Sequence, residues 1–200
     1  FNKRSAILAE IRAFLQGRGF VEVETPVMQP QAGGAAAKPF FTHHNALDTE
    51  MVMRIAPELY LKRLIVGGFD KIFELGKDFR NEGIDRTHNP EFTVLEIYEA
   101  FGDRASMQSL IEGLLPHLCR TVLGSMTVEY GEAREKLDFT PPYRELTYHD
   151  AVREVMGADW FGLTLQGART RAQDKGVEID PSWSHLMITH EVYGKAVEKT

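Results

Sequence analysis

The sequence predicts an α/β (α+β) fold in which a mostly antiparallel β-sheet is flanked by helices. Two strand-like segments, KIFELGKDFRNE (71–82) and FTVLEIYEAF (92–101), stand either side of a short charged turn. That is the pattern of an antiparallel hairpin with a long connection. Apolar residues recur at helical spacing before and after it, over 4–18 and 104–123. With 200 residues and 43 % hydrophobic content, one domain can bury a sizeable core.

From the start of the chain, Ile7, Leu8, Ile11, Phe14 and Leu15 form one helical stripe, and Gly19 is a plausible stop. FVEVET then alternates like a strand and Pro26 ends it. QPQAGGAAAKPF is small and flexible, and reads as a loop. Residues 51–55 form a short strand. Pro57 opens a helix of about three turns that stops at Gly67 and Gly68. After the hairpin come the helix over 104–123, a short strand at TVEYG and a loop at TPPYRE. Thr147 with Asp150 opens a helix near 148–156, Thr164 caps one near 165–175, and 182–199 is helical. The sequence has no internal repeat and no low-complexity tract.

A net charge of −6 argues against nucleic-acid binding by bulk positive charge, though not against local basic contacts. The single cysteine, Cys119, excludes a disulfide within the chain and a cysteine metal cluster, and fits a reducing, cytoplasmic setting. No apolar run approaches the length of a membrane span, and the amphipathic N-terminal segment is not a signal peptide. The chain opens on Phe1 rather than methionine and reads as part of a longer one.

The connection RNEGIDRTHNPEF concentrates charge between the strands. Strand alternation puts Arg80 and Glu82 on one face. On the second strand it groups Phe92, Val94, Glu96 and Tyr98 against Thr93, Leu95, Ile97 and Glu99. One face can pack on helices and the other is polar and aromatic. Two readings stand. The charges form a solvated turn with weak surface ion pairs, or they bind a planar, anionic ligand through an arginine fork and a stacking ring. Taken singly, Glu58 reads as a helix first-turn carboxylate and Tyr98 as a half-buried strand aromatic. His43 and His44 are adjacent and point apart in a strand, so they read as structural and no metal site is expected.

FRNEG followed by HNPEF resembles motif 2 of the class II aminoacyl-tRNA synthetases, and GFVEVETPVM with the preceding helix resembles their motif 1. GGAAAKPFFTHHNALD, RIAPELYLKRLIVGGFDKIFELGKDFRNEG and HNPEFTVLEIYEA resemble the lysyl-tRNA synthetases in particular. The resemblance is dense over 4–101 and weaker beyond. It implies lysine activation with ATP, accompanied by Mg2+, and transfer of the lysyl group to tRNA(Lys). By resemblance Arg80 meets the α-phosphate and the amino-acid carboxylate, Glu82 the adenine amino group and His88 the terminal phosphates. Asn89 lies beside the adenine and Phe92 stacks on it. Gly34 and Glu58 hold the α-ammonium, and Glu96 and Tyr98 the ε-ammonium.

The resemblance also maps motif 1 to about 4–28, where it implies a homodimer interface, motif 2 to about 73–100, and a helical insertion to about 147–200. It further implies an anticodon-binding domain before Phe1. Motif 3, a last lysine-pocket glutamate and the main Mg2+ ligands are expected beyond Thr200. Two other functions share the motif: a lysyl-transferase acting on a protein, like the enzymes that modify elongation factor P, and a non-catalytic lysine- or ATP-binding paralogue.

Overall fold

A computed structural model describes residues 1–86, 88–131 and 134–197. The chain divides into two compact units, Phe1–Pro141 and Pro142–Thr200.

In the first unit, α1 (Asn2–Gln16) buries Ile11, Phe14 and Leu15. It ends sooner than Gly19 alone predicts. The chain turns at Gly17, and the N–H of Phe20 reaches back to Leu15 O at 3.1 Å. Gly19 supplies the left-handed residue of that turn, at φ +82°. The strand expected over FVEVET contracts to β1 (Val21–Glu22), which pairs in parallel with Ile72 and Phe73.

β2 (Met28–Gln29), β3 (Phe41–His44) and β4 (Thr49–Met53) make a small antiparallel sheet in the order β2-β4-β3. Neither β2 nor β3 stands out in the sequence. Two residues are too few to alternate, and FTHH lacks an apolar face. α2 (Glu58–Val66) follows Pro57, its N-cap.

β5 (Lys71–Phe79) and β6 (Glu91–Glu99) pair antiparallel over nine positions, from Lys71↔Glu99 to Phe79↔Glu91. Their outer face carries Phe73, Leu75, Leu95 and Ile97 into a core with Ile11, Phe14 and Leu15 of α1. α3 (Arg104–Leu118) adds Leu110 and Leu114 to it. Burying a side chain such as Leu15 or Phe73 contributes about 2 kcal/mol. Asp103 and Ser106 cap α3 reciprocally, and a π-helical turn, Cys119–Leu123, extends it to a left-handed Gly124. A short hairpin, β7 (Thr127–Tyr130) and β8 (Glu135–Asp138), closes the unit.

The second unit has its own core. α4 (Tyr148–Met156), α5 (Leu165–Asp174) and α6 (His185–Val192) start at the capping side chains of Thr147, Thr164 and Ser184. They surround Trp160, whose indole N–H donates to Thr189 Oγ1 at 3.0 Å. The helix expected over 182–199 begins only at His185, because Ser184 caps it, and becomes a π-helical turn over Tyr193–Val197. Residues 198–200 lie outside the described set. Among the described residues no helix is long and apolar enough to cross a membrane.

Candidate functional site

Directly opposed residues of an antiparallel pair share a face. The register therefore sets Glu74 against Glu96, Gly76 against Val94, Asp78 against Phe92 and Ile72 against Tyr98. This is the face turned away from α1 and α3, and it carries the charged groups.

At one end of this face the turn encloses a cleft of about 600 Å³, lined by Arg80, Glu82, His88, Asn89 and Phe92 with other turn residues. The five residues matched to nucleotide contacts thus lie around one space. Alternation places Arg80 and Glu82 on the first strand, but both lie beyond its end. Arg80 N–H still reaches the opposed Pro90 O at 2.8 Å, but Pro90 has no N–H to return a bond and Asn81 N–H leaves the ladder for Lys38 O at 2.7 Å, so β5 ends at Phe79. Arg80 Nε donates to Ile55 O at 3.3 Å, and its guanidinium stands 5.1 Å from the centre of the Phe92 ring. A carboxylate oxygen of Glu82 accepts from Lys38 N–H at 3.3 Å. His88 is oriented by Asp85, whose carboxylate lies 2.8 Å from Nδ1 and accepts the His88 backbone N–H at 2.8 Å.

Further along the face lies an acidic group of side chains. Tyr98 donates its hydroxyl to Glu96 Oε2 at 2.9 Å. Burial pushes the Glu96 carboxyl up, the Tyr98 bond opposes that, and the Glu58 charge adds to the rise. Burial and Glu96 also push the Tyr98 hydroxyl well above its ordinary range. Glu58 begins α2 and pairs with Lys62 one turn on, so its role as a first-turn carboxylate also holds. Gly34 has φ +87°, and a Cβ there would sit 2.9 Å from the Glu58 Cβ and 3.2 Å from that of Ala56. The loop can approach Glu58 this closely only because residue 34 has no side chain. Gly34, Glu58, Glu96 and Tyr98 thus combine a bare backbone with two carboxylates and a phenol.

On the same face, with Glu74 directly opposite Glu96, is a buried ionic cluster that patterning alone does not single out. Arg54 is 1 % exposed, Glu74 3 % and Asp78 0 %. Arg54 Nη1 lies 2.5 Å from Glu74 Oε1 and 3.1 Å from Thr25 Oγ1, and Thr25 donates to Glu74 Oε2 at 2.7 Å. Gly76 makes room for this, since a Cβ there would collide with the guanidinium. Asp78 Oδ1 lies 3.1 Å from Arg54 Nε, but that N–H is directed at Lys77 O at 2.8 Å. Among the described residues both Asp78 oxygens are left without a hydrogen bond. Burial pushes the Asp78 carboxyl up to about 6 against the pull of Arg54, with Glu96 reinforcing the rise. The available signal was Glu74, Gly76 and Asp78 alternating along one strand face, with a lone arginine in MRIAPEL.

Among the described residues no group of three or more His, Cys, Asp or Glu is placed to hold a metal ion. His43 turns to Asp48 and Glu50, while His44 Nδ1 accepts Leu47 N–H.

Antiparallel sheet, flanking helices and a charged turn over one sheet face together define an α+β domain of the class II synthetase type. The family model of class II tRNA synthetases (D, K and N) matches residues 1–190. The chain belongs to that family. It is 57 % identical over 181 residues to a lysine–tRNA ligase of Clostridium botulinum (strain Langeland), covering 90 % of this chain and 35 % of that protein. It is 50 % identical over 199 residues to a lysine–tRNA ligase of Syntrophomonas wolfei, covering 99 % of this chain and 40 % of that protein. A lysine–tRNA ligase of Clostridium novyi (strain NT) is 54 % identical over 180 residues, covering 90 % and 35 %. The chain spans 35–40 % of the length of these relatives.

Proposed function

We propose that this chain carries the motif 2 part of the catalytic site of a lysine–tRNA ligase, which activates lysine with ATP to lysyl-adenylate and transfers it to tRNA(Lys). The observation that carries the reading is one sheet face joining two sites. The Arg80–Glu82–His88–Asn89–Phe92 cleft lies at one end and the Glu96–Tyr98 pocket further along.

The chemistry fits. Phe92 offers a ring for adenine to stack on, and Glu82 accepts from its amino group. Arg80 bridges the α-phosphate and the lysine carboxylate. That bridge aligns nucleophile with phosphorus and spreads the charge that develops in displacement. His88 meets the terminal phosphates, and Asn89 lies beside the base. Glu58 with Gly34 receives the α-ammonium. Glu96, held by Tyr98, receives the ε-ammonium, because a long cationic side chain needs a carboxylate at the pocket's end. A ligand lacking that ammonium leaves Glu96 unpaired, which provides selectivity.

ATP would bring Mg2+, which would supply charge neutralisation at the phosphates; among the described residues no group of three or more His, Cys, Asp or Glu is placed to hold the ion. Motif 1, with α1 and the segment to Met28, is the proposed homodimer interface. The setting is cytoplasmic.

The test is lysine-dependent exchange of pyrophosphate into ATP by the complete polypeptide, followed by charging of tRNA(Lys) against lysylation of a protein acceptor. Exchange that needs lysine, is lost in Glu96→Gln and leads to charged tRNA supports the reading. ATP binding without lysine-dependent exchange sinks it.

A further inference from the structure

The orphaned carboxyl of Asp78 has no role in the nucleotide and lysine contacts assigned above. It is fully buried; among the described residues its two oxygens accept no hydrogen bond, and the Arg54 Nε that lies 3.1 Å from Oδ1 directs its N–H at Lys77 O instead. Such a group is costly in the charged state unless a cation or donor reaches it. Its charged surroundings come from every element packed there. Arg54 follows β4, Glu74 lies on β5, Glu96 on β6, and Arg80 just beyond β5. Glu58 of α2 acts on Glu96 in turn. Four carboxyls, Glu58, Glu74, Asp78 and Glu96, therefore stand against two arginines, with Lys62 on the outer side of Glu58. The empty site has an excess of acid, and Arg54 is already committed to Glu74, Thr25 and Lys77 O.

We propose that Asp78 is a positioning residue of the lysine pocket that, in mildly acid solution, holds a proton while the pocket is empty and releases it to solvent when a ligand with two ammonium groups enters. This rests on the lysine reading of the Glu58–Glu96–Tyr98 pocket. The balance is simple: the ligand ammonium enters, the Asp78 carboxyl O–H bond breaks, and the proton leaves for the buffer. Asp78 does not touch the ligand. Its ionised form restores the charge that the ammonium group offsets at Glu96, and it faces Arg54 Nε at 3.1 Å. The expected sign follows from the burial-raised Asp78 carboxyl, which titrates near 6. Lysine affinity rises with pH below that point, by at most about tenfold per pH unit, and flattens above it.

Two measurements on the complete polypeptide test this. The first needs no ligand: carboxyl carbon NMR of the free protein, with Asp78 assigned from Asp78→Asn. A carboxyl titrating near 6 is expected, and one in the ordinary aspartate range overturns the proposal. The second is calorimetry with lysine and with norleucine at about pH 5.5, in two buffers of different ionisation enthalpy. Lysine should release up to about one proton more from the native protein than from Asp78→Asn, and norleucine should show a smaller difference. Lysine binding with the same release from both proteins overturns the proposal and leaves the pocket reading intact. A folded protein that binds no lysine overturns both. A KM for lysine that changes with pH in the native protein and not in Asp78→Asn, with kcat parallel in the two, separates positioning from a general loss of structure.

Discussion

Glu74 and Glu96 stand directly opposite each other across β5 and β6, and the Arg54 guanidinium lies 2.5 Å from the Glu74 carboxylate. Like charges opposed on one face repel. Arg54 relieves this repulsion by neutralising Glu74. Removing one partner of a buried pair leaves the other uncompensated. Arg54→Met is therefore expected to destabilise the fold by about 3–5 kcal/mol. Glu74→Gln, which keeps the shape and one acceptor, should cost less. Urea unfolding of the two variants checks the order.

Gly76 predicts the same arrangement from the backbone side. A Cβ there meets the guanidinium, so Gly76→Ala should destabilise by about 1–3 kcal/mol. Ordinarily alanine improves a strand interior over glycine. An unchanged unfolding midpoint would mean that Arg54 does not lie over residue 76.

Asp78 should shape the stability curve with pH. Its carboxyl is raised in the folded chain to about 6, above the ordinary unfolded value of about 3.9. Between those values the folded state binds more protons than the unfolded state. Stability from this group is therefore fully present below about pH 4 and falls as pH rises through 6, by about 3 kcal/mol in all. Asp78→Asn should flatten that segment and be the more stable protein at pH above about 7. Thermal unfolding across the acid range reads this slope. A native protein whose stability rises steadily from about pH 4 to 6, with no difference in the variant, contradicts it.

Much of this was legible in the sequence, and what was not has identifiable causes. The α1 stripe, the β5–β6 pairing and the caps at Thr147 and Thr164 all follow from periodicity and side-chain chemistry close in the chain. The division of Phe92, Val94, Glu96 and Tyr98 from Leu95 and Ile97 also held, because alternation is geometric. Arg80 and Glu82 fall beyond the strand because Pro90, opposite Arg80, has no N–H to extend the ladder and the N–H of Asn81 bonds the remote Lys38 O. Arg54, Glu74 and Thr25 are separated by 20 to 49 positions. Only the folded sheet joins them, and no local pattern records such a cluster. β3 was obscured for the opposite reason: its pairing with β4 is local, yet its alternation is polar on both faces.

Tyr98 offers a test of the pocket at single-atom scale. Its hydroxyl is a donor to Glu96, and the bond favours the charged carboxylate against burial. Tyr98→Phe keeps the ring and removes only that donor. Glu96 should then be harder to ionise, so its stabilising contact with a cationic ligand is lost more readily as pH falls. Hydrogen bonds to charged groups contribute about 1.5–3 kcal/mol, so the lysine KM in pyrophosphate exchange should rise by about ten- to a hundredfold. ATP KM should move far less, since Phe92 and Glu82 lie in the separate cleft. A variant whose ATP and lysine constants rise together would show that Tyr98 supports the whole sheet face rather than the acidic pocket.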